Sequence, residues 1–117
     1  MTNIKITAGN VTIPATLNET VAAKDFITRL PVTVNGSNSG IDICCTLTEG
    51  KFNSVEKQTG WKNGDINVAD GWLALLYGGQ EQSDSYPGMM IVGHIANEYL
   101  DAVANFPAST IITVELA

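Results

Sequence analysis

His94 is the one histidine in this chain of 117 residues, so any acid–base chemistry has to start from it. By alternation with Ile91, Gly93 and Ile95, it shares a strand face with Val92. No serine or aspartate stands beside it in sequence to suggest a triad, and no G-x-S-x-G is present. A structural or surface histidine is the expectation. Cys44 and Cys45 are neighbours. On a strand their side chains point to opposite faces, so they cannot close an ordinary disulfide with each other. Without a second cysteine pair or a nearby histidine they make no zinc site either, and one core and one half-exposed thiol are expected. Asp65 and Asp70 read as strand-end and turn residues more readily than as a hydrolytic pair. The glycines at 36–40 and 78–79 fit neither a phosphate-binding loop nor a dinucleotide fingerprint, and are expected in turns. Trp61, Tyr77 and Tyr86 stand in or beside long loops, where an aromatic ring with a polar tip can hold an extended peptide or a small ligand. The structural alternative is that Tyr77 ends a core strand and Trp61 covers a barrel mouth.

These side chains are carried by many short β segments. Asn3–Thr7 alternates, Ala8-Gly9-Asn10 turns, and Val11–Leu17 returns as the second arm of a hairpin. Pro14 offers no N–H to a ladder, which predicts an edge position or a bulge. Asn18 reads as a helix cap, and Val21, Ala22, Ala23, Phe26, Ile27 and Leu30 form one apolar stripe that ends before Pro31. A helix over 19–30 follows. Short strands are expected at 31–34, 41–48, 64–68, 72–77, 89–95 and 110–116, with a turn or loop at 35–40. Asp70-Gly71 is a strong hairpin signal. Residues 49–63 read as a long surface loop and 78–88 as polar and turn-rich. Asn97 is expected to cap a second helix, over 97–105, striped by Tyr99, Leu100, Val103 and Ala104. Phe26, Ile27 and Leu30 should pack on the barrel end, with Leu73, Leu75, Ile91 and Ile112 among the buried strand residues. Many short strands with two isolated helices predict a mostly β fold, a closed eight-stranded barrel with two capping helices. The whole chain, 1–117, reads as one domain.

Hydrophobic residues make up 44% of the chain and charged residues 15%, which excludes a disordered protein. No apolar run approaches the roughly 20 residues of a membrane span, and the N-terminus lacks the pattern of a signal peptide. A soluble, cytoplasmic protein is therefore expected. The formal charge is −6, and all six bases lie within the first 62 residues. The remainder carries seven of the twelve acids and no lysine or arginine, so it would repel a phosphate backbone. Neither nucleic acid nor membrane is an expected partner.

The order of motifs resembles the bacterial and archaeal cyclophilin-like domains. Ala15-Thr16-Leu17-Asn18-Glu19-Thr20, the helix through Phe26 and then Arg29-Leu30-Pro31 are similar to their opening. Gly64-Asp65-Ile66 with Leu73-Ala74-Leu75-Leu76-Tyr77-Gly78 resembles their central hairpin. Ile91-Val92-Gly93-His94-Ile95 and the following helix resemble the penultimate strand and helix of the cyclophilins. This likeness implies a cyclophilin-like barrel, and raises prolyl isomerisation as a candidate activity. The residues argue against that activity. The catalytic arginine of the cyclophilins falls near 41–48, where this chain has none, and the segment that walls the proline pocket corresponds to a shortened 78–88. Lys62 stands roughly where the likeness puts a groove glutamine. The reading is thus a non-catalytic binding or accessory module with a groove for a peptide or small molecule. Its candidate ligand-binding residues are Trp61, Lys62, Tyr77 and Tyr86, and it has no catalytic residue, metal or cofactor. The alternatives are a divergent peptidyl-prolyl isomerase and a domain that works only with a partner protein. Oligomeric state is left open.

Overall fold

A computed structural model describes residues 1–117. Eight antiparallel strands close on themselves: β1 (Thr2–Ala8), β2 (Val11–Leu17), β3 (Val32–Asn38), β4 (Ile43–Thr46), β5 (Asp65–Ala69), β6 (Trp72–Leu76), β7 (Ile91–His94) and β8 (Ser109–Leu116). Around the barrel they run β1-β2-β7-β5-β6-β4-β3-β8, and β8 pairs back onto β1. The mostly β, closed eight-stranded barrel expected from the sequence is the architecture observed. Alternation sets the interior. Ile4, Ile6, Ile13, Leu17, Ile43, Leu73, Leu75, Ile112 and Val114 are all at most 2% exposed and fill it.

Two helices cap the barrel. Helix α1 (Val21–Arg29) buries Ala22, Ala23 and Phe26, with Ile27 and Leu30 packed partly buried against the same core. Its cap is Thr20, whose hydroxyl accepts the Ala23 N–H, rather than Asn18. Asn18 instead folds its side chain onto Thr20 and donates to the Ile91 carbonyl of β7, so the helix begins two residues later than its sequence suggests. Helix α2 (Leu100–Ala104) is shorter than expected. The preceding Asn97–Tyr99 is a 3₁₀ turn, and Asn97 caps nothing. Because α1 leads into the start of β3 and α2 is tied by Asn38 to the end of β3, the two helices cover opposite mouths.

The stretch 35–38, expected as a loop, is strand. Gly36 faces inward, where an added Cβ would lie 2.7 Å from Ile43 Cγ2, so barrel packing overrides a polar, glycine-containing sequence. Asp70 and Gly71 both take positive φ, 56° and 82°, in the tight β5–β6 turn that their dipeptide predicts. Ile91 is not an interior residue. It packs with Met89 outside the barrel, against the small cluster of Trp61, Ala74 and Leu76. The cause is an irregularity between β5 and β7: Ile66 pairs with Gly93 but Asn67 pairs with Ile91, leaving Val92 as the extra residue of a bulge. Asn67 supports it by accepting the Met90 N–H at 2.7 Å. Val92 therefore points in while His94 points out, so the two do not share the one face that alternation gave them.

Candidate functional site

The bulge aims His94 at a cross-strand neighbour. On the outer face, one row crosses three strands: Thr16 of β2 opposite His94 of β7, and His94 opposite Asp65 of β5. His94 Nδ1 lies 2.8 Å from Asp65 Oδ1, and the second carboxylate oxygen accepts the Lys62 N–H at 2.9 Å. The carboxylate accepts, so Nδ1 donates, and this fixes the ring orientation and the tautomer. Nε2 is left without a partner in the chain. The Asp65 side chain is 11% exposed and that of His94 is 45%, so the anchor is buried while the ring remains reachable.

Two glycines make this packing feasible. Gly64, at φ +105°, sits under the Cε1–Nε2 edge of the ring. An added Cβ there would lie 2.9 Å from Cε1 and would collide with the Ile95 carbonyl. At Gly93 a Cβ would strike the Thr16 carbonyl. Gly64 also bonds outward in both directions, donating to Leu76 O and accepting from Ile95 N, each at 2.7 Å, so the start of β5 is pinned beside the ring.

Around this pair lie three shallow depressions that share walls. A polar basin of about 520 Å³ lies between residues 58–63 and 80–84. Lys62 separates it from a second hollow of about 370 Å³, bordered by Asn18, Asp65 and His94. His94 and Thr16 in turn separate that from a third hollow of about 440 Å³, which is largely apolar and lies between Pro14, Ala15, Ala96 and Tyr99. The third exists because β2 and β7 part company. They pair only at Thr16 and Leu17, leaving Val11–Ala15 without a neighbour on that side. Asn18 donates its N–H to Val92 of β7, so residues of the same parity, Thr16 and Pro14, direct backbone groups to this edge. At Pro14 the N–H is missing, which blunts the edge as its sequence predicted.

Of the residues singled out from sequence, Trp61, Lys62 and Tyr86 come together and Tyr77 stands apart. Trp61 is 6% exposed and packs on the outer side of β6, its indole N–H donating to the Gly78 carbonyl at 2.9 Å. Ser83 bonds both backbone groups of Trp61. The Tyr86 ring lies 5.3 Å from the Trp61 ring and is half exposed. The Lys62 side chain is exposed, with no ion-pair partner, between two of the depressions. Tyr77 packs against the core and donates its hydroxyl to Asn38, which in turn bonds the end of α2; burial raises its pKa. Asp65 and His94 were not paired by sequence reasoning, because 29 residues separate them and the bulge breaks simple alternation. Cys45 is fully buried, which pushes its thiol up to about 12, and Cys44 is half-buried, its pKa raised by that burial and by Asp42. No group of three or more metal-ligating side chains occurs.

The model of the cyclophilin-like family matches residues 6–115. The chain belongs to the cyclophilin-like family. No curated protein matches it. Among solved structures, a hypothetical protein of Archaeoglobus fulgidus, determined in solution, superposes on this cyclophilin-like chain with a TM-score of 0.71. The two are 16% identical, and the match spans 99% of this chain and 95% of the archaeal one. At that identity the likeness is one of fold. No helix is long and apolar enough to cross a membrane.

Proposed function

We propose that this cyclophilin-like chain is a binding module that takes an extended ligand, a peptide or a comparable small molecule, along the outer wall of its barrel. The observation that carries this reading is the run of three depressions joined at Lys62 and at His94, with His94 held rigid between the second and third. Binding clefts combine apolar lining with a few fixed polar groups, and that is the composition of this run. Trp61 and Tyr86 support the wall of the polar basin, and Lys62 supplies a charge at its margin. Tyr77 serves the reading only indirectly, by anchoring α2.

Isomerase chemistry finds little support in the same residues. Stabilising a twisted prolyl amide needs a donor aimed at it, and β4 carries no arginine. Arg29 is committed elsewhere: its Nε lies 3.5 Å from Asp25 and its Nη1 donates to the Thr48 carbonyl at 2.5 Å. Lys62 is free, but an ammonium does not reproduce the planar fork of a guanidinium. The test is a protease-coupled assay on an X-Pro peptide run beside an active cyclophilin. No acceleration comparable to that control is expected. An equal rate, abolished by Lys62→Ala or Arg29→Ala, would replace this reading with an enzyme.

A further inference from the structure

The polar basin between residues 58–63 and 80–84 is the roomiest of the three depressions, and Trp61 is the single hydrophobic residue in its lining. We propose that this basin is a saccharide site. The hydroxyls of a sugar ring meet the polar side chains of its two walls, and the apolar face of the ring rests beside Tyr86. This rests on the binding-module reading and names the ligand class of one part of its site.

Three observations carry it. First, two amides are locked across the basin with donors to spare. The Asn63 N–H donates to Gln80 Oε1 at 2.9 Å, and the Gln80 N–H donates to Asn63 Oδ1 at 3.1 Å. Only the oxygen of an amide side chain accepts an N–H, so this reciprocal pair fixes both amide planes and leaves both NH₂ groups without a partner in the chain. Second, unspent donors and acceptors stand on both walls. Gln58 gives its NH₂ to the Gly60 carbonyl at 3.1 Å, which leaves its oxygen free. The Glu81 and Asp84 carboxylates and the Lys62 ammonium form no ion pair. Ser83 has committed its hydroxyl to Trp61 and Gln80, whereas that of Thr59 is uncommitted. A hydroxyl both donates and accepts, so a polyhydroxylated ring can satisfy this mixture. An anion would meet two carboxylates against one ammonium, and a ligand with hydrocarbon side chains would find one hydrophobic residue. Third, the half-exposed Tyr86 is tied to both walls. Its carbonyl accepts the Gly60 N–H, its N–H donates to the Ser83 carbonyl, each at 2.9 Å, and its ring packs on Trp61. This sets an aromatic ring at the edge of the basin, where its electron-rich face can meet the C–H face of a sugar.

The test uses the full chain, ¹⁵N-labelled, titrated in turn with glucose, galactose, maltose and cellobiose. Citrate, arginine amide and a blocked tetraglycine serve as the anionic, cationic and peptide probes. At least one saccharide should shift the amides of residues 58–63 and 80–86 saturably, with a dissociation constant of about 10 mM or lower. Gln80→Glu and Asn63→Asp each keep the oxygen that accepts the other residue's N–H and lose only the NH₂. Each should therefore weaken the best saccharide about fivefold in a protein whose remaining amide shifts are unchanged. Tyr86→Leu should weaken it by a similar factor. Undiminished affinity in all three variants, or saccharide shifts that lie outside the basin, would overturn the inference and leave the binding module standing. If citrate, arginine amide or tetraglycine shifts residues of the three depressions and no saccharide does, the inference falls alone. If none of the probes shifts any residue of the three depressions, the binding-module reading falls with it.

Discussion

Gly64→Ala puts a methyl group where the backbone has no room. Two costs add. At φ +105° an L-residue is strained by about 1–2 kcal/mol, and the methyl meets the Ile95 carbonyl and the His94 ring. Relieving that collision means moving Gly64 away from Ile95, which weakens bonds to Ile95 N and Leu76 O that each contribute about 1 kcal/mol. The total is about 3–4 kcal/mol. Gly9→Ala is the control: it also has positive φ, 59°, but nothing lies within 4 Å of its added Cβ, so only the conformational cost of about 1 kcal/mol remains. Urea unfolding followed by circular dichroism separates them. With a slope of about 2 kcal/mol per molar, Gly64→Ala should lower the midpoint by about 1.5–2 M and Gly9→Ala by about 0.5 M. Equal shifts for the two variants would refute the close-approach argument and, with it, the rigid seat assigned to His94.

Phe26→Ala removes the largest fully buried side chain, and should cost roughly 3–5 kcal/mol by the same assay; a loss below about 1 kcal/mol would mean that the α1 stripe faces elsewhere. In a thiol-labelling experiment at mildly alkaline pH, Cys44 should react slowly in the folded protein and Cys45 only after unfolding. Because the folded Cys45 thiol titrates near 12, while an unfolded thiol titrates near about 8.5, the unfolded chain loses this proton first. The contribution of Cys45 to stability is therefore full below about pH 8.5 and declines as pH rises towards 12, a decline that a Cys45→Ala variant should lack in pH-dependent urea melts. Acrylamide should quench Trp72, which is 47% exposed, far more than Trp61, so Trp72→Phe should leave a poorly quenched emission that shifts red only on unfolding.

What the sequence discloses and what it withholds follow the range of the interactions. The α1 stripe and the Asp70-Gly71 turn are decided within a few residues, and both are where local patterning puts them. The strand at 35–38 is decided by Ile43, Cys45 and Ile112 closing around Gly36, contacts that no local window contains. The site follows the same rule. Trp61 is legible as an aromatic ring beside a long loop, and Lys62 only through the likeness that puts a groove glutamine at its place. The Asp65–His94 pair needs a strand register and the bulge at Val92, and periodicity without the bulge keeps His94 on one face with Val92, which the folded chain separates. The aromatic residues stand out by type, but Trp61 and Tyr77 spend their polar tips on Gly78 and Asn38, a commitment that only the folded chain reveals.

The place of β8 in the barrel has a bearing on synthesis. Its two neighbours, β1 and β3, both belong to the first third of the chain, so the final strand is the stave that closes the cylinder. Until it leaves the ribosome, a nascent chain would hold two facing open edges, each long enough to recruit the wrong strand. Closure then waits on the most sequence-distant pairing in the fold, the kind that forms slowly. During that wait, the Lys5 side chain on β1 is the guard, and once β8 arrives it meets Glu115 across the new seam at 3.3 Å.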